Sequence, residues 1–359
     1  MSDLGDFIER VAGPGVLRVE DDLGNGFVRL RVSEAQRRQA KQDIRCVEDA
    51  AIEMLRNARD ACAQTIFLAV SRSAHVRTLV VIDDGAGIPL DMHDAVFEPR
   101  VTSKLDAFVE DEWGVHGRGM ALYSIKENAA EAFVAASRPG KGSAFRVSFS
   151  RASVKERKDQ STLPALEKNE EGDWALGPGP RNIVRTAAEF ALKERRRCTV
   201  YFGSPVEVAA TLRAYGMRVV RDVKTGCKNF DDVPYAADLS FCSDAVDFAL
   251  RANRLGLSVS QRSAYRIMQG DVPPLRPLLA MLRDDQAPEK PSGGKTALAA
   301  HDGVRGLKIS PEDAEAFSRA LKKAWAPLAE AYYLEPDIEP SVRVSRDGVR
   351  VVFPAYRQL

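Results

Sequence analysis

Glu53 and Asn57 lie four positions apart in a segment whose pattern predicts a helix. Between residues 43 and 62, apolar residues recur at helical spacing, so one face can pack on a sheet while the opposite edge stays polar. Positions i and i+4 of a helix project side by side. The pair can therefore bring a carboxylate within reach of an attacking water, beside an amide oxygen that can bind a metal. Magnesium suits such an oxygen, because it takes one or two protein ligands together with waters and substrate phosphates.

Two adjacent carboxylates follow the next apolar run. Residues 79–82 are apolar and rich in β-branched side chains, which predicts a buried strand, and Asp83-Asp84-Gly85-Ala86-Gly87 predicts that the strand ends in a turn. Carboxylates this close should raise one pKa of the pair. Because Gly85 and Gly87 lack a Cβ atom, the turn could approach a ligand closely.

A glycine-rich turn completes the set of candidate residues. Gly114-Val115-His116-Gly117-Arg118-Gly119 leads directly into an apolar, helix-like pattern at 120–125. Such a turn presents backbone N–H groups to an anion, and the helix dipole adds to the attraction. We therefore expect phosphate oxygens to bind here.

The order E-x-x-x-N, D-x-G-x-G and G-x-x-G-x-G resembles the GHKL superfamily, which includes gyrase-type topoisomerases, heat-shock chaperones, sensor histidine kinases and mismatch-repair ATPases. The resemblance implies that Glu53 is the general base, that Asn57 holds magnesium, and that the carboxylate of Asp83 accepts a hydrogen bond from the adenine amino group. Guanine carries a carbonyl at that position, so ATP should be preferred. The backbone of residues 117–120 would then stabilise the phosphates.

The resemblance covers about residues 40 to 150 and adds further residues. Residues 96–104 look like the lid entry of sensor kinases, although Arg100 replaces an aromatic residue, and residues 105–113 would form the lid. Asp84 stands where many relatives have Asn, and Ser143 where they carry Thr. The predicted catalytic residue is Glu53, the predicted metal ligand is Asn57, and the predicted nucleotide-binding residues are Asn57, Asp60, Asp83, Gly85, Gly87, Ile88, Phe97, Lys104, Gly114, Gly117, Arg118, Gly119, Met120 and Ser143.

Composition describes a globular chain of 359 residues, 45% hydrophobic and 29% charged. No apolar run approaches the ~20 residues that a membrane span needs, and the N-terminus lacks the features of a signal peptide. We therefore expect a cytoplasmic protein with no membrane partner. The five cysteines show no C-x-x-C spacing and the four histidines are scattered, so neither a disulfide framework nor a metal cluster is indicated.

The predicted fold class is α+β. A two-layer α/β sandwich of the Bergerat type is followed by a mixed, helix-rich C-terminal region. The predicted organisation is an N-terminal extension at 1–40, an ATP-binding domain at 41–150, a linker at 151–181 and a mixed α/β region of unknown role at 182–359. Residues 310–334 predict an amphipathic helix, and residues 342–353 predict a terminal hairpin.

The sequence favours an ATP-binding protein that hydrolyses ATP slowly with magnesium. Hydrolysis would drive lid closure or formation of a homodimer. One alternative is a regulator that binds the nucleotide without hydrolysing it. Another is a histidine or serine protein kinase, but a histidine kinase needs a phosphoacceptor, and no histidine precedes position 75.

Nucleic acid is a further predicted partner. Basic clusters lie at 151–158 and 193–197, where they could meet phosphates, although solvated helix ends would explain them as well. Residues 254–270 resemble a helix-turn-helix, but two more residues separate Gly256 from Ile267 than the usual repressor pattern allows. A helical insert like that of type VI topoisomerase B subunits is an equal alternative.

Overall fold

The computed structural model describes residues 19–102, 109–111, 114–116, 119–157, 159–168, 172–224, 233–284, 317, 319–326, 329, 340–345 and 348–352. The chain divides into two compact units, residues 1–288 and 289–359. The described strands are β1 Val19–Gly24, β2 Phe27–Leu30, β3 Thr65–Arg72, β4 Val76–Asp83, β5 Val101–Thr102, β6 Val109–Asp111, β7 Gly114–His116, β8 Glu131–Ser137, β9 Ser143–Ser150, β10 Leu166–Lys168, β11 Trp174–Leu176, β12 Thr199–Gly203, β13 Ser341–Ser345 and β14 Gly348–Val352. The described helices are α1 Glu34–Asp43, α2 Val47–Asp60, α3 Ala121–Asn128, α4 Ile183–Lys193, α5 Pro205–Lys224, α6 Ala245–Arg254, α7 Gln261–Gln269 and α8 Leu278–Asp284.

A five-stranded sheet in the order β12-β3-β4-β9-β8 organises the first unit. Strand β12 runs parallel to β3, and the other neighbours are antiparallel. The register pairs Asp83, the last residue of the central strand, with Ile66 on one side and Ser143 on the other. Asp83 is therefore held between two neighbouring strands.

The first face of the sheet packs against α2, α3 and α4. Apolar residues of α2, among them Val47, Ala51 and Leu55, are buried against alternate strand residues such as Leu68 and Val81. The helical spacing of the sequence thus produces the buried stripe that it predicts. A mixed sheet packed against helices confirms the predicted α+β fold class.

Helices from the predicted helix-rich C-terminal region cover the second face. Phe67, Val80 and Ile82 share a core with buried residues of α5, α6 and α7. Because successive strand residues point to opposite faces, two helix layers bury both sets. This explains why residues 79–82 are apolar without alternation.

The segment at 151–181, predicted as a linker, carries the short hairpin β10-β11. Val154 and Leu166 are buried in the core of the first face. The buried carboxylate of Glu48 on α2 accepts hydrogen bonds from the backbone N–H of Arg157, at 3.2 Å, and from the side chain of Gln160, at 2.6 Å. Beyond this segment, β12 joins the sheet beside β3.

The second unit contains the hairpin β13-β14, which pairs Ser341 with Val352 and Ser345 with Gly348. This confirms the hairpin predicted at the end of the chain. Residues 319–326 are helical, within the predicted helix at 310–334. Within the described segments, no helix combines the length and the apolar character that crossing a membrane requires.

Two glycines of the turn between β8 and β9 offer a matched test of this packing. Gly140 and Gly142 have nearly the same positive φ, +73° and +74°. A Cβ on Gly142 would lie 2.0 Å from the carbonyl oxygen of Asp83, whereas nothing lies within 4 Å of a Cβ on Gly140. Backbone strain of ~1–2 kcal/mol is common to both alanine variants. Gly142→Ala should therefore lower the free energy of unfolding in urea by at least ~2 kcal/mol more than Gly140→Ala does. Equal losses would show that the turn does not pack on β4 as described.

Candidate functional site

A cavity of about 790 Å³ opens at the end of β4. Residues of α1, α2 and the start of α3 line it, together with Asp83, Ser143 and Phe145. Its volume lies within the ~300–1,000 Å³ typical of sites for small molecules and cofactors. Most of the predicted site residues that the structure describes line it: Glu53, Asn57, Asp60, Asp83, Gly87, Ile88, Gly119, Met120 and Ser143.

Helix α2 brings Glu53 and Asn57 to the cavity one turn apart, as their spacing predicts. The carboxylate of Glu53 accepts a hydrogen bond of 2.6 Å from the guanidinium of Arg56, whose side chain is only 3% exposed. Arg56 also lines the cavity, and the sequence reasoning did not identify it. This ion pair fixes the orientation of the carboxylate at the cavity wall.

The side-chain nitrogen of Asn57 is buried and has no hydrogen-bond partner among the described residues. A buried amide is costly to leave unpaired. An incoming group that carries acceptor oxygens would therefore be favoured beside it.

Asp83 is 2% exposed, and its Oδ1 accepts a hydrogen bond from the backbone N–H of Gly85 at 2.9 Å. Burial raises the pKa of Asp83 to about 7, and the charge of Asp84 adds to the rise, while N–H groups of Gly85 and Ser143 oppose it. Near neutral pH the carboxyl group can therefore exist in either protonation state.

The carboxylate of Asp84 accepts three hydrogen bonds that stabilise the fold. Its Oδ1 accepts hydrogen bonds from the backbone N–H groups of Gln64 and Thr65, both at 2.8 Å. Its Oδ2 accepts one from the hydroxyl of Tyr215 on α5, at 3.0 Å. Burial first, and then the charge of Asp84, raise the pKa of the Tyr215 phenol, so this hydroxyl remains a donor. Asp84 thus ties the end of β4 to the helices of the second face.

Backbone packing accounts for the glycines after Asp83. A Cβ on Gly85 would lie 2.6 Å from the carbonyl oxygen of Ala61, and a Cβ on Gly87, at φ +72°, would lie 1.9 Å from that of Arg138. The loop is held further by the bond from the Ile88 N–H to the Ser137 hydroxyl, at 2.7 Å. Gly85 itself does not line the cavity, so its need for glycine comes from neighbouring backbone.

The residues where α3 begins also line the cavity. Gly119 has φ +65°, and its carbonyl accepts a hydrogen bond from the Arg100 N–H at 2.8 Å. Met120 precedes the first turn of α3 and provides no side-chain cap. The N–H groups of a first helical turn are available to an anion. Gly114 lies in β7, which pairs with β6. Lys104, Gly117 and Arg118 lie outside the described residues.

Phe97 lies one layer below the cavity wall. It is 3% exposed and packs edge-on against Phe145, with ring centroids 6.3 Å apart. Phe145, rather than Phe97, faces the cavity. The short helical turn at Ala95–Phe97 buries the ring in the core.

Helix α1 lines the cavity, and most of the helix lies in the segment 1–40 that the sequence predicts as an N-terminal extension. It contributes Gln36, Gln39, Ala40 and Asp43 to the cavity. Ser33 and Gln36 form a capping box at its start. The Ser-x-x-Gln spacing is a readable signal for a helix start, but it does not reveal the ligand that the helix would face.

Comparison with known proteins points to one family. Residues 42–153, less than a third of the chain, match the family described as histidine kinase-, DNA gyrase B-, and HSP90-like ATPase. The chain is also similar to the DNA mismatch repair protein MutL of Thermus thermophilus, with 40% identity over 86 residues. A second similar protein is MutL of Thermus aquaticus, with 40% identity over 83 residues. Each match covers 23% of this chain and only 15% of the relative.

The residues present fit an adenine nucleotide with magnesium. A buried acceptor, Asp83, and the start of α3 both line the cavity. The amide of Asn57 lines it as well; its nitrogen lacks a partner among the described residues, and its oxygen suits magnesium. When bound, the ion would neutralise phosphate charge.

The pKa of Asp83 predicts how this site affects stability in the absence of nucleotide. The folded pKa lies above the unfolded value, so stability is highest when the group is neutral and is lost as pH rises towards about 7. Asp83→Asn cannot ionise. It should therefore be more stable than the wild type at pH 8, by roughly 2–4 kcal/mol, and the difference should shrink at pH 5.

Thermal unfolding of both proteins at the two pH values measures this difference. Asp84→Asn is the control, because that carboxylate accepts three hydrogen bonds, and it should lower stability at both pH values. A pH-independent effect of Asp83→Asn would contradict the raised pKa.

Proposed function

Because residues 42–153 are a domain of the histidine kinase-, DNA gyrase B-, and HSP90-like ATPase family, we propose that the chain binds ATP with magnesium in the cavity at the end of β4 and hydrolyses it slowly. The observation that carries the proposal is the meeting of Glu53, Asn57 and Asp83 in one cavity. The carboxylate of Glu53 suits activation of water, and the neighbouring amide of Asn57 suits magnesium. The buried carboxyl group of Asp83 suits recognition of adenine.

Asp83 recognises the base in this proposal. Its ionised carboxylate accepts a hydrogen bond from the adenine amino group, so binding selects the deprotonated state. Burial strengthens this interaction, because a hydrogen bond to a charged group contributes more where water is excluded. The cost is the desolvation that raises the pKa of the same group.

Glu53 carries the chemistry at the phosphate end. It accepts a proton from a water whose oxygen bonds to the γ-phosphorus, while the bond from that phosphorus to the bridging oxygen breaks and ADP leaves. Arg56 holds the carboxylate by a bond of 2.6 Å. Asn57 would hold magnesium, and the N–H groups around Gly119 and Met120 would stabilise phosphate charge.

The finer parts of the proposal concern motion and partners. Turnover would be coupled to closure of a lid at 105–113, of which the structure describes only residues 109–111, or to pairing of two copies of the chain. Nucleic acid is proposed as a partner, and the mismatch-repair name of the MutL relatives supports it.

A regulator that binds ATP but hardly hydrolyses it is the second candidate. One observation favours it, since the carboxylate that must take the proton is already engaged by Arg56. A base held in an ion pair is less available to water.

Substitutions on α2 separate the two candidates. Glu53→Gln cannot accept the proton, yet its amide oxygen can still bond Arg56, which limits damage to the fold. The hydrolysis rate should fall by ~10²-fold or more, while the dissociation constant for ATP stays within a few fold of the wild type. Asn57→Ala should lose both hydrolysis and tight ATP binding, because it removes the proposed magnesium ligand.

Steady-state turnover and calorimetric binding for the wild type and both variants provide the test. If Glu53→Gln hydrolyses ATP as fast as the wild type, the assigned role of Glu53 is wrong. A wild type that binds ATP but shows no turnover, alone or with DNA, identifies the regulator instead.

A further inference from the structure

Helices α6 and α7 form a firmly anchored pair on the face of the sheet opposite to α2. Both pack into the core of the second face, where Phe248, Ala252, Ala264 and Ile267 are buried. The guanidinium of Arg146 on β9 donates hydrogen bonds to the turn between the helices, at 2.6 and 3.0 Å. The pair can therefore present a helix face without rearranging.

The outward face of α7 is basic and amide-rich. Its exposed residues are Gln261, Arg262, Tyr265, Arg266 and Gln269. The helix contains no Asp or Glu. In the part of the chain that the structure describes, the side chains of Arg262 and Arg266 make no ion pair or hydrogen bond. These two cations, one turn apart, are available to a partner.

Acidic residues of the neighbouring helix do not offset this charge. On α6, Asp247 pairs with Arg251 at 2.9 Å, and Asp244 caps the helix by accepting bonds from two backbone N–H groups. Arg254 at the end of α6 is exposed and adds a further positive charge towards the turn. Asp271, exposed just beyond α7, is the nearest acid along the chain.

The basic clusters singled out from the sequence are more engaged than α7. In the first, Arg151 donates to the carbonyl of Ala74 at 2.7 Å. In the second, Arg195 donates to the carbonyl of Leu192 at 2.9 Å, and Arg197 pairs with Glu194 at 3.6 Å. Part of the positive charge in both clusters is thus used within the fold.

We propose that α7 is the element by which this chain contacts double-stranded DNA, with its exposed face in the major groove. An α-helix with side chains, ~10–12 Å across, fits a groove ~12 Å wide. Arg262 and Arg266 meet phosphates or guanine edges, and Gln261 and Gln269 can pair with adenine. Each amide or guanidinium group on this face can donate several hydrogen bonds, which base edges and phosphates accept. Binding of an acidic protein would require only the positive charge, so the amides favour DNA as the partner.

The proposal concerns α7 alone and does not require a helix-turn-helix. The residues between α6 and α7, Leu255 to Ser260, form a longer turn than the three or four residues of a helix-turn-helix. The inference deepens the proposed nucleic-acid partner and rests on it. It is independent of the ATP site, because α7 and α2 lie on opposite faces of the sheet.

The test uses the full chain and a fluorescent 24-base-pair duplex of mixed sequence, followed by anisotropy between ~50 and ~250 mM salt. The variant R262Q/R266Q removes two exposed cations from α7. The matched control, R195Q/R196Q, removes two exposed cations at the end of α4. The α7 variant should bind at least tenfold more weakly, and its slope of log affinity against log salt should be shallower by about 1.8 for two lost phosphate contacts. The control should change affinity by less than twofold, and ATP affinity should stay within twofold of the wild type in both variants.

Three results would overturn the inference. If the wild type binds the duplex and R262Q/R266Q binds it equally well, the nucleic-acid partner stands but α7 is not its site. An equal loss in R195Q/R196Q shows dependence on overall charge. Absence of duplex binding by the wild type at ~50 mM salt removes both the partner and the interface, while leaving ATP binding untouched.

Discussion

The burial of Asp83 at the end of the central strand is the constraint on which the site depends. Strands β3 and β9 flank it, and helix layers cover both faces of the sheet, so the carboxyl group is nearly excluded from water. Its ionised form is therefore costly, as its pKa of about 7 reflects. The fold maintains this unfavourable group because Asp84, the loop glycines and the turn between β8 and β9 fix the backbone around it. In our account, this constraint creates an acceptor for adenine.

Helix α2 serves packing and chemistry on opposite faces. One stripe, with Val47 and Leu55, fills the core, which sets how Glu53 and Asn57 reach the cavity. Arg56 adds a restraint, since a nearly buried guanidinium needs its acidic partner. The same ion pair that orients Glu53 also limits its freedom, so the balance between hydrolysis and simple binding lies in these two side chains. The hydrogen bond from Tyr215 to Asp84 links the end of β4 to α5, in the helix layer on the second face of the sheet.

The sequence predicts most strongly what local pattern controls. The period of α2, the acidic end of β4 and the hairpin β13-β14 are readable because neighbouring residues determine them. The parallel pairing of β12 with β3 is not, since Thr199 and Thr65 are far apart in the chain and no short pattern joins them. Which of two aromatic rings, Phe97 or Phe145, reaches the cavity depends on packing alone. The contacts of Arg56 and Asp84 likewise became visible only with burial and distances.

The central claim is that this cavity binds ATP through Asp83, and titration calorimetry of the wild-type chain with ATP and with GTP, each with magnesium, tests it most directly. The two nucleotides carry the same triphosphate, so the difference isolates the base. The account predicts that ATP binds at least ~10-fold more tightly, because guanine sets a carbonyl against the carboxylate and loses a charged hydrogen bond of ~1.5–3 kcal/mol. Equal affinities for ATP and GTP, or no heat of binding for either, would contradict it.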